Sequence, residues 1–175
     1  MGLLTYKIYN MEKISIKDLN VNAIELIKHC LLLTAGNEEI GYNVMTVSWG
    51  DLGVLWDKPV AIIYVRPSRY TKTLLDKQDY FTLSAMSADY KKDVAYCGTV
   101  SGMRQNKFVE TGLTPVCEGK TVHVGEADLV LKCKKLYAQP IDKKCFMDRD
   151  LFEEHYGHGD VHVMYVGEII EVLKK

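Results

Sequence analysis

The chain has 175 residues, is 47% hydrophobic and carries 22 Lys and Arg against 23 Asp and Glu, giving a formal charge of -1 and a pI near 6.5. That balance offers no electrostatic footprint for nucleic acid, and the length suits one globular domain, residues 1–175, with no composition shift to mark a second. No apolar run approaches the roughly 20 residues that span a bilayer, and Met1 to Lys13 places charges and tyrosines where a signal peptide needs an unbroken apolar segment, so a cytoplasmic protein is expected.

The five cysteines, at 30, 97, 117, 133 and 145, are odd in number and include no Cys-x-x-Cys pair, so they are read as reduced thiols rather than as a zinc knuckle or a redox dithiol. Cys133 continues the alternating series Ala127, Leu129, Leu131, which makes it a small buried apolar residue.

Along the chain, Ala23, Ile27 and Cys30 recur at helical spacing behind Asn20 and Asn22, either of which can cap a short helix. Leu31 to Ala35 reads as a strand, and Gly36-Asn37 turns it back antiparallel onto a second strand from Asn43. On that strand Val44, Thr46 and Ser48 alternate with Met45, Val47 and Trp49, hydroxyls to one side and apolar bulk to the other. Gly50, Gly53 and the two tryptophans suggest a loop, and the β-branched run Val60 to Val65 a strand buried on both faces between Pro59 and Pro67. Thr71 is placed to cap a short helix through Leu75, Tyr80 to Ala85 returns to a strand, and Ser87 opens a helix toward Cys97 that Gly98 would end. Ser101 to Phe108 is a polar loop entering a short helical turn closed by Gly112. Strands follow from Thr114, with period-two alternation over Ala127 to Lys134 and a last long strand from Val161 to Leu173.

Strands joined by short turns, few helices and no strand-helix rhythm point to an antiparallel barrel or sandwich with attached helices. No Gly-x-Gly-x-x-Gly and no Walker loop is present, so any phosphate must be held in another way. Arg66, Ser68, Arg69 and Thr71 lie between a buried strand and a helix start, where free N-H groups and the helix dipole attract anions and an arginine adds bidentate geometry. Thr46 and Ser48 would add hydroxyls if their strand runs beside Val60 to Val65, and Met45, Trp49, Trp56 and Tyr70 could wall a planar ligand. Each of these features alone is also explained by core packing or a solvated turn, and Asn43 by a turn, so the residues by themselves leave both readings open.

Asn43-Val-Met-Thr-Val-Ser-Trp-Gly, Lys58-Pro, Arg66-Pro-Ser-Arg-Tyr-Thr, Phe81-Thr-Leu-Ser, Ser101-Gly with Lys107, Gly159-Asp-Val-His and Tyr165-Val-Gly-Glu together resemble the flavin reductase family, which includes flavoredoxins. The resemblance runs in order from about Leu31 to Val172. It implies a mainly β (α+β) fold, an antiparallel Greek-key split β-barrel with a few short peripheral helices, in a homodimer that binds FMN near the subunit interface. It further implies Thr46, Ser48, Arg66, Ser68 and Thr71 around the FMN phosphate and ribityl chain, and Asn43, Met45 and Trp49 near the isoalloxazine. Ser84 falls where many relatives carry asparagine, and Lys107 matches a lysine that would balance the phosphate or the reduced flavin. His162 matches the family's Gly-Asp-His histidine, here separated by Val161, and is expected to position nicotinamide or substrate.

The activity so implied is an FMN oxidoreductase that takes hydride from NAD(P)H and passes electrons to a flavin, a ferric chelate or a protein; the alternative is an FMN-binding electron carrier or storage module without NAD(P)H activity. A metal reading of His155, His158 and His162 is set aside because Gly157 and Gly159 interrupt the helix their spacing would need, and no metal site is expected.

Overall fold

A computed structural model describes residues 9–175. Within it ten strands form in chain order: β1 (Glu12–Ile14), β2 (Leu31–Asn37), β3 (Gly41–Val47), β4 (Gly50–Leu55), β5 (Lys58–Val65), β6 (Tyr80–Ala85), β7 (Pro115–Glu118), β8 (Thr121–Val124), β9 (Leu129–Pro140) and β10 (Val163–Lys174). Five short helices accompany them: α1 (Ala23–Lys28), α2 (Tyr70–Lys77), α3 (Lys91–Thr99), α4 (Lys107–Thr111) and α5 (Arg149–Tyr156).

Eight strands make one antiparallel sheet, hydrogen-bonded in the order β3-β2-β6-β9-β10-β5-β4 with β1 beside β10, and β7 with β8 form a separate hairpin. The two ends of that path, β3 and β4, are consecutive in the chain and are joined only by Ser48 and Trp49. The barrel is therefore split where the Thr-Val-Ser-Trp sequence crosses from one edge to the other.

Alternation decides the packing. Leu31, Leu33, Ala35, Met45 and Val47 point into the barrel to meet Ile63, Phe81, Leu131 and Tyr165. The opposite faces of β2 and β3 supply Leu32 and Val44 to a second cluster with Val94 and Cys97 of α3, Phe108 of α4 and Val124 of β8. Burying the β2-β3 hairpin on both sides brings α3 and α4 against the site strand. Gly36 and Gly41, in the strands on either side of the 38–40 turn, are both at positive φ, and a side chain on Gly36 would lie 2.0 Å from the Gly41 carbonyl oxygen.

Several sequence expectations need revision. Gly50 to Leu55 is a strand, and only Trp56-Asp57 is a turn, with φ of 53° and 57°, the double positive φ of a type I′ hairpin. Of the glycines that read as a loop, Gly50 lets β4 pair closely with β5, since a side chain there would lie 2.7 Å from the Ile62 carbonyl oxygen, whereas the space beside Gly53 is open. In β5, Val60, Ala61, Ile63 and Val65 are buried, but Ile62 and Tyr64 are only half-buried. Thr71 does not cap α2; Arg69 stands at the N-cap with no capping bond from its side chain, and Thr71 lies inside the first turn. Gly98 falls within α3 rather than after it. Helix α5 was not anticipated, although Asp148 caps it by accepting from the N-H groups of Asp150 and Leu151 and buries Phe152 and Tyr156 four residues apart.

Candidate functional site: two joined clefts at the barrel split

The site is built where the end of β3, the β3-β4 link and the β5-α2 turn converge. Val44 and Thr46 face α3, and the Thr46 hydroxyl donates to the Val94 carbonyl. Met45 faces the other way, into the barrel core. Two adjoining clefts open here and share Met45 and Arg69.

The first cleft, about 130 Å³, lies between the start of α2 and the loop from Thr99 to Gly102. Asn43 crosses its floor, donating from Nδ2 to the Thr71 hydroxyl at 2.8 Å. Gly102 is required beneath it, because a Cβ there would sit 2.1 Å from Asn43 Oδ1. Two cations flank the cleft and are held by the C-terminal carbonyls of α3, where the helix dipole is negative. Lys107 Nζ donates to the Cys97 carbonyl at 2.7 Å, and Arg69 Nη1 to the Gly98 carbonyl at 3.0 Å. Lys107 is only 3% exposed, and that burial, reinforced by the Arg69 charge, pulls its pKa down to about 8.

The second cleft, about 220 Å³, is lined by Thr46, Ser48, Trp49, Tyr64, Arg66 and His162. Trp49, 41% exposed, packs its ring against His162 at 4.9 Å and against His155 at 5.3 Å. His162 Nδ1 lies 3.0 Å from the Tyr156 hydroxyl. Burial, then the charges of Arg66 and Arg69 against a smaller opposing effect of Asp160, drop the His162 pKa to about 4, so its imidazole is neutral near pH 7. Arg66 donates to the backbone carbonyls of Asp160 at 2.9 Å and His155 at 3.3 Å and lies 5.5 Å from the Tyr156 ring centre. Ser68 is clasped by Asp160, whose carboxylate accepts from Ser68 N-H at 3.0 Å and from its hydroxyl at 2.6 Å.

The candidates from the sequence thus divide. Asn43, Ser68, Thr71 and Lys107 border the first cleft, Thr46, Ser48, Trp49, Arg66 and His162 the second, and Met45 both. Arg66, expected at the phosphate, and Lys107, expected at the phosphate or the reduced flavin, stand in different clefts. Ser84 borders neither: it is 0% exposed on β6, and its hydroxyl accepts from Val124 N-H at 3.4 Å. Arg69, read from the sequence with the anion-attracting turn, borders both clefts, whereas Tyr64, Tyr156 and Asp160 carry no site role in the sequence. Arg69 was visible in the Arg-Pro-Ser-Arg turn, whereas Tyr156 needed α5 to be recognised. Among the described residues, no group of three or more His, Cys, Asp or Glu side chains is placed to hold a metal ion.

The architecture is thus an antiparallel split barrel with two joined clefts at its split, one at a helix start and one lined by aromatic side chains. Residues 26–174 match the flavin reductase like domain, so the chain belongs to the flavin reductase-like family. An uncharacterized protein of Archaeoglobus fulgidus is 29% identical over 133 residues, a match that covers 74% of this chain and 64% of that relative's length. The flavoredoxin of Desulfovibrio vulgaris superposes with a TM-score of 0.63 at 23% identity, over 82% of this chain and 67% of the other. The FMN-binding domain of a flavin reductases-like enzyme from Shewanella baltica gives 0.67 at 14% identity, over 97% and 79%. The fold is thus the split barrel that the sequence resemblance implied, mostly antiparallel sheet with few short helices.

Proposed function

We propose that this chain is an FMN-binding oxidoreductase that takes reducing equivalents from NAD(P)H and delivers them to a flavin, a ferric chelate or a protein. The observation that carries the reading is the pair of joined clefts sharing Met45 and Arg69, one at a helix start beside Lys107, the other lined by Trp49, Tyr64 and His162 next to Arg66. Together they reach the lower end of the roughly 300–1,000 Å³ common for small-molecule sites, and their chemistry fits FMN: anion donors at one end and aromatic side chains at the other. FMN would supply the electron-transfer chemistry itself.

The chain's own groups hold and orient. N-H groups of the first turn of α2, the Arg69 guanidinium and Lys107 would take the phosphate, both cations turning from the α3 carbonyls that now hold them. Thr71 and Asn43 would meet the polar chain between the clefts, and Met45, Ser48 and Trp49 the ring. Arg66 and neutral His162 would present donors to the ring cleft without a proton being lost or gained.

A homodimer with FMN near its interface belongs to the same proposal. It is supported by exposed apolar residues on the β4-β5 hairpin, Val54 at 77% and Trp56 at 55%, continued by Tyr137 of β9, whose ring lies 6.1 Å from Trp56. A cytoplasmic setting is supported by the cysteines, all five of which are free thiols. Among the described residues no helix is long and apolar enough to cross a membrane.

The test is direct. FMN added to the purified chain should be bound with quenching of its fluorescence, and anaerobic NADH or NADPH should bleach the bound flavin. Failure to take up FMN overturns the cofactor; uptake without bleaching by either nucleotide leaves the electron-carrier alternative in its place.

A further inference from the structure

The hydrogen bond between Tyr156 and His162 has no part in the reading above, which uses His162 alone. Tyr156 is the last residue of α5, 6% exposed, with its ring edge-on to His162 at 5.6 Å and its hydroxyl on Nδ1. A phenol proton buried there needs an acceptor, and among the described residues Nδ1 is its partner. Were Nδ1 the protonated atom, it would donate to the phenol oxygen and orphan the phenol proton. Burial also raises the Tyr156 pKa, which keeps the phenol protonated. The other ring nitrogen, Nε2, has no hydrogen-bond partner among the described residues, and the imidazole lines the ring cleft beside Trp49 and Arg66.

We infer that Tyr156 is a positioning residue: by donating to Nδ1 it fixes His162 as the Nε2-H tautomer, so that the imidazole offers the ring cleft a neutral N-H donor matched to a carbonyl oxygen, such as the carboxamide of a nicotinamide. The hydrogen bond on one ring nitrogen determines what the other presents. The arrangement is steadied from three sides. The Trp49 ring covers the imidazole, Arg66 lies over the phenol ring, and the same Arg66 ties the backbone of His155 and Asp160 on either side of the Gly157–Gly159 turn. Arg66, Arg69 and Asp160 are the charged groups facing the histidine, and the two arginines outweigh the aspartate, which favours a neutral ring. The donor role toward a nicotinamide rests on the oxidoreductase reading above; the tautomer does not.

The experiment is nitrogen-15 NMR of the histidine-labelled, cofactor-free chain, with His162→Asn to assign His162 among the five histidines. The expected result is a neutral Nε2-H imidazole with Nδ1 accepting a hydrogen bond, and a mixture of both tautomers in Tyr156→Phe, which keeps the ring packing. With FMN bound, Tyr156→Phe should bind FMN as before but lose about 10-fold or more in kcat/KM for the nicotinamide. A proton on Nδ1 in the unaltered chain, or an unchanged tautomer in Tyr156→Phe, overturns the inference. Should that variant fail to fold, fluorotyrosine incorporation makes the phenol a stronger donor and should shift the His162 Nδ1 signal; no shift overturns it equally. If the loaded chain is not reduced by NADH or NADPH at all, the oxidoreductase reading fails while the tautomer measurement still decides the role of Tyr156.

Discussion

Asp160 grips Ser68 at both ends of one residue, its carboxylate receiving the backbone N-H at 3.0 Å and the hydroxyl at 2.6 Å. The grip spans 92 residues of sequence and pins the turn ahead of β10 to the turn ahead of α2. It holds Asp160 at a φ of 55°, a left-handed conformation uncommon for non-glycine residues. Because the pair is exposed, Asp160→Ala should cost only about 1 kcal/mol, read as a lowered midpoint in urea. Asp160→Gly removes the same bonds but relaxes the backbone, so it should be the less destabilising of the two; the reverse order would show that φ matters little here.

On the proposed reading, Lys107 should make the cleft's affinity depend on pH. Burial lowers its pKa to about 8 in the cofactor-free chain, and a bound phosphate would raise it, so binding takes up a proton above pH 8. FMN affinity should therefore fall as pH rises through about 8, and Lys107→Met should bind more weakly by about 2 kcal/mol with that dependence gone. Fluorescence titration across pH 6.5 to 9.5 measures both. A variant as pH-dependent as the parent assigns the effect elsewhere.

His162 contributes to acid sensitivity with a defined sign. Its folded pKa of about 4 lies below the ordinary 6.5, so between those values the unfolded chain binds the extra proton. Its effect is thus to reduce stability as pH falls from 6.5 toward 4, and His162→Gln should flatten that part of the stability profile.

The two arginines of the turn should separate by phenotype. Arg69 lies on the boundary shared by both clefts, so Arg69→Ala should weaken FMN binding by about 2 kcal/mol with little loss of stability. Arg66 ties His155 and Asp160, so Arg66→Ala should lower the melting temperature as well as weaken FMN binding. Equal effects of the two variants on both measurements would contradict the division of roles.

Ser84 supplies the control. Fully buried against β8 and outside both clefts, it should leave FMN affinity within about 0.5 kcal/mol when changed to alanine. A larger loss would place it at the cofactor after all.

Much of the barrel was legible in the chain because it depends on local alternation. Asn43 to Val47, Tyr80 to Ala85 and Leu129 to Cys133 carry the period of a strand, whereas Gly36 and Asn37, read as the turn after Leu31 to Ala35, are the end of β2, and the chain reverses over residues 38–40. The ordered motifs from Asn43 to Glu168 also sufficed for the family. Strand β4 was misread because its glycines were judged by conformational freedom, while pairing to β5 settled their state. Helix α5 was missed because Gly157 and Gly159 lie just beyond it and drew the histidines into one apparent loop.

What the sequence by itself determined was the set of residue types: hydroxyls alternating with apolar groups on β3, cations and a serine before α2, a lysine after Ser101-Gly102 and a histidine before β10. Only the tertiary structure decided how these are shared. It placed Arg66 with His162 and Lys107 with Thr71, put Arg69 on their common border, and withdrew Ser84 beneath β8. The reason is physical. Side-chain periodicity is fixed within a strand, but which groups meet depends on strand order and on long-range bonds such as Ser68 to Asp160 at the barrel split, which spacing alone does not specify.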